Sequence, residues 1–202
     1  MRKITIHEVL RAERDMILDR RDTYLVSYPH FVRFFQDLKR ITEHDVVVGT
    51  NMVYGWMPTA LDWKARSFAE VAALLNRAKA GHGLSAQELK HVKGLVNNSV
   101  VGASKLLHFV NPRLYPIWDS RICRHLEGRS HAYLVNSVDR YLAYLGLCDD
   151  IVRNPRFAKP HASIESKLGY AVSALRAIEL VLFYASKKAA EAPTDRTHRG
   201  LA

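Results

Sequence analysis

The sequence predicts an all-α fold, and three observations carry that expectation. Apolar residues recur at the period of about 3.6 that marks a helix, while the strict alternation of a half-buried strand is nearly absent. Helix-start chemistry recurs too: Ser67 with Glu70, and Ser85 with Glu88, have the Ser-x-x-Glu spacing of a capping box. Glycine, asparagine and proline fall between the periodic stretches, where helices stop.

Taken in order, residues 6–25 read as one amphipathic helix, with Val9, Leu10, Met16, Ile17 and Leu18 set among charges. Pro29 is expected to break it. Phe31, Val32, Phe34, Phe35 and Leu38 then continue a second helical pattern. Val46-Val47-Val48-Gly49 is the one plausible strand, and equally a buried helix end. Residues 51–58 form an aromatic segment punctuated by Gly55 and Pro58, which suggests a loop. Ser67 opens a helix through residue 80, ended by Gly81 and Gly83, and Ser85 opens another to about Val96. Asn97-Asn98-Ser99 is a tight-turn cluster, because asparagine tolerates left-handed geometry. A helix over 100–110 stops at Asn111-Pro112. Asp119 or Ser120 caps a helix through Leu126, ended by Gly128. Residues 133–147 are helical, a basic loop follows over 153–160, and the last long helix spans 163–186.

The chain has 202 residues, of which 48% are hydrophobic, enough for one substantial core. The expected organisation is one helical domain over 1–186 and a basic, disordered tail over 187–202. No apolar run approaches the roughly 18 residues that a membrane span needs. The charged N-terminal stretch has no apolar signal core, so a cytoplasmic location is expected. The two cysteines, Cys123 and Cys148, read as free buried thiols, and no Cys/His spacing resembles a zinc site. Neither metal nor cofactor is expected. The formal net charge is +10, and only four basic and two acidic residues lie beyond residue 186, so most of the excess belongs to the folded body. A body that basic suggests a polyanionic partner.

The informative stretch is 84–126: helix, tight turn, helix, a short turn with two prolines, then an acidic residue at a helix start. Its chemistry suggests cleavage of an N-glycosidic bond. The departing base leaves an oxocarbenium-like sugar, which a nearby carboxylate can stabilise. A lysine with an accessible neutral form can instead attack the sugar covalently. Asp119 and Lys105 fit these two roles. Each also has a plainer reading: Asp119 as an N-cap alone, and Lys105 as a solvated residue or a phosphate contact.

The segment Pro116-Ile117-Trp118-Asp119, followed by a basic helix, resembles the helix–hairpin–helix DNA glycosylase superfamily, over about 45 residues. Members carry a hairpin with a Gly-rich turn, a helix, and a Pro-containing turn leading to the catalytic Asp. The spacing from Pro to Asp is similar to the adenine-glycosylase branch, and the lysine-bearing, 8-oxoguanine-type branch supplies the analogy for Lys105. Counting back from Asp119 places the hairpin turn at Asn97-Asn98-Ser99, where the family usually has Gly-hydrophobic-Gly. The same count places the usual catalytic slot at Val101. Lys105 lies one turn later on the same face, and helical side chains lean toward the N-terminus. The cysteine set that holds an iron–sulfur cluster in some relatives is absent.

The resemblance implies a DNA glycosylase acting on double-stranded DNA, with possible Lys-dependent strand nicking. Its base would be oxidised guanine, or a bulky modified cytosine in phage DNA as an antiviral defence. Such an enzyme flips its base out of the duplex and holds it between aromatic or apolar groups. Tyr54, Trp56 and Met57 are candidates for that pocket, with Asn51 as a polar reader. Trp118 is either core or a wall of the pocket, and His108 is either a packed histidine or part of the site. The amides from Ser99 through Val101 to Gly102, at a helix start, can bind a phosphate. Arg121, Arg124, Arg153 and Arg156 are candidates for further phosphate contacts. The chain is expected to be a monomer. Two rivals remain: a non-catalytic DNA-binding module using the same hairpin, and a helical interaction protein that is basic by chance.

Overall fold

One helix, Val100–Val110, is the hub of the molecule: of its eleven residues only Val101 and Lys105 escape full burial. The computed structural model describes residues 1–62 and 67–191. Among these residues the fold is all-helical, without strands. In chain order the helices are α1 (Ile6–Arg14), α2 (Thr23–Asp37), α3 (Glu43–Trp56), α4 (Phe68–Lys79), α5 (Ala86–Leu95), α6 (Val100–Val110), α7 (Ser120–Glu127), α8 (Ala132–Val135), α9 (Val138–Val152), α10 (Ala158–Leu168) and α11 (Ala174–Glu191), with a 3-10 turn at Pro155–Phe157. None is long and apolar enough to cross a membrane.

Two groups of helices share one continuous core. Helices α2, α3, α4 and α5 pack around α6, while α1, α7, α9 and α10 pack around α11. The division follows from sequence. α6 is apolar on nearly every face, so it must be surrounded. The stretch Ala177-Ile178 and Leu180-Val181-Leu182 makes α11 a second buried axis. The cleft between the two groups holds the site described below.

The helix starts follow the capping chemistry read from sequence, with one exception. Ser85 and Glu88 make a complete capping box, and the Asp119 carboxylate accepts from the Ile122 amide at 2.8 Å to start α7. Ser67 caps α4, but Glu70 does not close the box; it pairs with His91 at 2.9 Å.

Several expected elements are corrected. The helix expected over 6–25 is two: α1 ends at Arg14, and Asp22 starts α2 by accepting from the Tyr24 amide at 2.8 Å. Pro29 does not break a helix but lies inside α2. A proline leaves the carbonyl four residues earlier without its helical donor. That carbonyl is Leu25, and the Tyr170 hydroxyl donates to it at 2.8 Å. The plausible strand at 46–49 is the interior of α3, and the aromatic segment to Trp56 continues that helix rather than forming a loop. Gly49 is required there, since a Cβ would lie 2.3 Å from the Phe35 ring.

The helix expected over 133–147 is split at Asn136-Ser137, where Ser137 caps α9. Asn136 also accepts from the Val100 amide at 3.2 Å, satisfying a donor at the start of α6. The helix expected over 163–186 is α10 and α11, separated at Gly169, whose φ of 84° is left-handed. Helix α11 runs past the expected boundary at 186 to Glu191, and the rest of the expected tail, 192–202, lies outside the described residues.

Candidate active site

The floor of the cleft is set by how α6 meets the segment before α7. Ser104 Oγ accepts from the Trp118 amide at 3.0 Å and lies 3.2 Å from the Trp118 carbonyl oxygen. His108, one turn further along α6, is bonded through Nδ1 to the Tyr115 carbonyl at 2.6 Å. The Tyr141 hydroxyl donates to the Pro116 carbonyl at 3.1 Å. These bonds hold residues 115–118 between α6 and α9 and fix where Asp119 emerges.

The result is a cavity of about 380 Å³ that Lys105 and Asp119 both line. Trp56 and Met57 from the end of α3 form one wall, with Tyr24 from α2 beside them. The Tyr24 and Trp56 rings meet edge to face at 5.4 Å, and Lys105 Nζ lies 5.3 Å from the centre of the Trp56 ring. Helix α11 supplies the opposite wall with Arg176, Glu179, Phe183 and Tyr184. Arg121 lies over the Phe183 ring at 5.1 Å. Such a volume falls within the roughly 300–1,000 Å³ typical of small-ligand sites.

The charges in this cavity are closely coupled. Arg176 and Glu179 form an ion pair with both side chains 4% exposed. The Arg176 guanidinium lies 4.4 Å from the centre of the Tyr28 ring, and the Tyr28 hydroxyl is 2.9 Å from His108 Nε2. Burial pushes the Glu179 carboxyl up to about 7, against the opposing pull of Arg176. Burial also lowers the Lys105 ammonium, although Asp119 and Glu179 pull it the other way. His108 is pushed down to about 3 by burial, with Arg176 adding to the effect. It is therefore a neutral imidazole, donating from Nδ1 to Tyr115 and accepting from Tyr28 at Nε2. Two buried donors around the site, Trp56 Nε1–H and Arg176 Nε–H, have no hydrogen-bond partner among the described residues.

Of the residues singled out from sequence, Lys105, Asp119, Trp56, Met57 and Arg121 meet in this cavity. The four other candidates for the base pocket do not line it. Trp118 is fully buried core, tilted against Tyr144 at 5.0 Å with its indole N–H donating to the Val135 carbonyl at 2.9 Å. Tyr54 is buried against Gly102, where an added Cβ would lie 2.7 Å from its hydroxyl oxygen. Asn51 is exposed and donates back to the Val47 carbonyl at 2.8 Å, within its own helix. His108 is sealed beneath the site by its two hydrogen bonds.

The turn between α5 and α6 has the left-handed geometry expected of it, with φ of 54° at Asn97 and 51° at Asn98. Asn97 also braces the preceding chain, accepting from the Asp62 amide at 2.7 Å and donating to the Ala60 carbonyl at 2.8 Å. The expected phosphate-binding amides are largely engaged. Ser99 N–H donates to the Val96 carbonyl at 2.9 Å, Val100 N–H to Asn136, and Gly102 N–H to Ser99 Oγ at 3.2 Å. Val101 is half-buried, and its carbonyl lies 2.9 Å from Ser104 Oγ. Away from the cavity, Arg124 bonds Ser130 at 3.2 Å, Arg153 pairs with Asp149 at 2.7 Å, and Arg156 lies 3.1 Å from His7.

Sequence reasoning missed the contribution of α11. The signal was present: Arg176 and Glu179, three residues apart, interrupt an otherwise apolar run from Ala174 to Leu182. Charges at that spacing inside a buried helix are rarely idle.

Comparison with protein-family models, with curated proteins and with solved structures finds no match. The functional reading therefore rests on the cavity and its residues.

Proposed function

We propose that the chain is a DNA glycosylase that receives a flipped-out modified or damaged base in the cavity between α6, α7 and α11. The observation that carries this reading is the convergence of Lys105 and Asp119, far apart in role but lining one cavity with the Trp56 ring. A base stacked against Trp56 and Met57 would place its sugar near both charged groups. The Asp119 carboxylate then stabilises positive charge developing on the sugar. Lys105, whose ammonium form is disfavoured by burial, supplies an amine for attack on C1′. A covalent lysine–sugar adduct also leads to strand nicking.

The α5–turn–α6 unit is proposed as the helix–hairpin–helix element that grips the duplex. Because so many amides at the start of α6 are engaged, phosphate contacts there fall to side chains or to rearranged amides. The partner is double-stranded DNA, bound by the protein as a monomer. The base is oxidised guanine or a bulky modified cytosine of phage DNA, the latter serving antiviral defence.

The test is base release, measured by mass spectrometry after incubating the protein with oxidised, deaminated, alkylated and phage-modified DNA. Release of one base class is the expected result. Salt-sensitive DNA binding with no release from any of the four would favour a non-catalytic binding module.

A further inference from the structure

We propose that Glu179 is the proton carrier of this site, taking a proton from Lys105 and delivering it to the departing base. The inference rests on the glycosylase reading and adds a residue that the sequence did not suggest.

Three features carry it. Glu179 lines the same cavity as Lys105 and Asp119, with only 3% of its surface exposed. Its one strong partner is Arg176, on its own helix and as deeply buried. A buried carboxylate is costly to keep, and a well-packed apolar residue would serve stability as well or better. The arrangement also separates the two carboxyls of the cavity by role. Asp119 caps α7 through one oxygen at the rim of the helix, while Glu179 stands deeper in the protein, where burial raises it into the neutral range. A carboxyl tuned to about 7 both accepts and donates a proton near neutral pH.

The charged and titratable groups that bear on Glu179 come from several elements. They are Lys105 of α6, Asp119 at the start of α7, Tyr28 of α2, Tyr144 and Cys148 of α9, and Arg176 and Tyr184 of α11. From α1, Glu13 is paired with Lys167 at 2.6 Å, and His161 of α10 is bonded to the Val172 carbonyl at 2.8 Å. Lys105 is thus the acid among them suited to give Glu179 a proton.

The step balances as follows. The Lys105 ammonium gives one proton to the Glu179 carboxylate and becomes a neutral amine. The amine lone pair forms a bond to C1′ as the C1′–base bond breaks, and that electron pair leaves with the base. The Glu179 carboxyl passes its proton to the leaving base. Glu179 ends as a carboxylate, Lys105 as an ammonium joined to the sugar, and the base departs neutral. With a base filling the cavity, an internal acceptor replaces the solvent that has been expelled.

The test is single-turnover base release by the full chain as wild type, Glu179→Gln and Glu179→Asp, from about pH 5 to about pH 10, with DNA affinity and melting temperature measured alongside. Glutamine keeps the shape and the hydrogen bond to Arg176 but cannot carry the proton. The expected result is unchanged DNA affinity, release about 10²-fold slower near neutral pH, and a rate that climbs with pH as Lys105 titrates alone. Glu179→Asp recovers part of the loss. A Glu179→Gln variant that matches wild type, that is slower by one factor at every pH, or that is faster near neutral pH overturns the proposal. The last result would mean that Glu179 only holds Lys105 charged. Should Glu179→Gln melt far below wild type, Glu179→Asp decides, and a pH profile identical to wild type overturns the proposal. If wild type releases no base from any DNA, the glycosylase reading fails and the proposal falls with it.

Discussion

Ser104 Oγ accepts the Trp118 amide at 3.0 Å, and that bond ties the residue before Lys105 to the residue before Asp119. The two candidate catalytic groups therefore share one mechanical support. Ser104→Ala leaves the Trp118 amide buried without this partner, at a cost of about 1–3 kcal/mol. The variant is expected to unfold at lower urea and to release base more slowly. Unchanged values of both would remove Ser104 from this role.

Trp118 and Trp56 are expected to separate cleanly. Trp118 is core, so Trp118→Ala lowers stability by about 3–5 kcal/mol. Trp56 walls the cavity, so Trp56→Leu is expected to weaken binding of the modified base with a smaller loss of stability. Urea unfolding and substrate titration of both variants check this. The opposite pattern would move the pocket to Trp118.

Gly49 lies under the Phe35 ring, with no space for a methyl group. Gly49→Ala is expected to destabilise by about 1–3 kcal/mol through overpacking. A stabilised variant, as helix propensity alone would give, would contradict the packing.

His108 and Glu179 make opposite contributions to stability against pH. The folded state holds His108 down at about 3 from 6.5, so between those values the unfolded chain binds more protons and stability falls as pH drops. Glu179 is raised from 4.5 to about 7, so between those values the folded state binds more protons and stability falls as pH rises. The stability difference between wild type and His108→Gln is expected to shrink on acidification below about pH 6.5. The difference between wild type and Glu179→Gln is expected to move against wild type from about pH 5 to about pH 7. Urea midpoints across that range measure both. A flat difference in either series would contradict the corresponding burial.

Much of the frame was legible because it is written in local chemistry. The Ser85–Glu88 box, the Asp119 cap and the left-handed Asn97-Asn98 turn each depend on residues a few positions apart. That Lys105 and Asp119 lie near one another was legible for the same reason, since only the end of α6 and one turn separate them. What was missed depends on distant partners. Pro29 is tolerated because the Tyr170 hydroxyl donates to the freed Leu25 carbonyl, 145 residues before it in the chain. Trp118 is core because Tyr144 and the Val135 carbonyl receive it. Glu179 joins the site because α11 folds back across the cleft, which its apolar pattern alone does not announce.

The most direct test of the account compares base release by wild type and Asp119→Asn on the same modified DNA, under single-turnover conditions. The substitution keeps an oxygen able to cap α7 while removing the charge that the proposal sets against the sugar. The account predicts DNA affinity close to wild type and release slower by about 10²–10³-fold. Equal release by the two proteins would contradict it and would leave Asp119 as a cap alone.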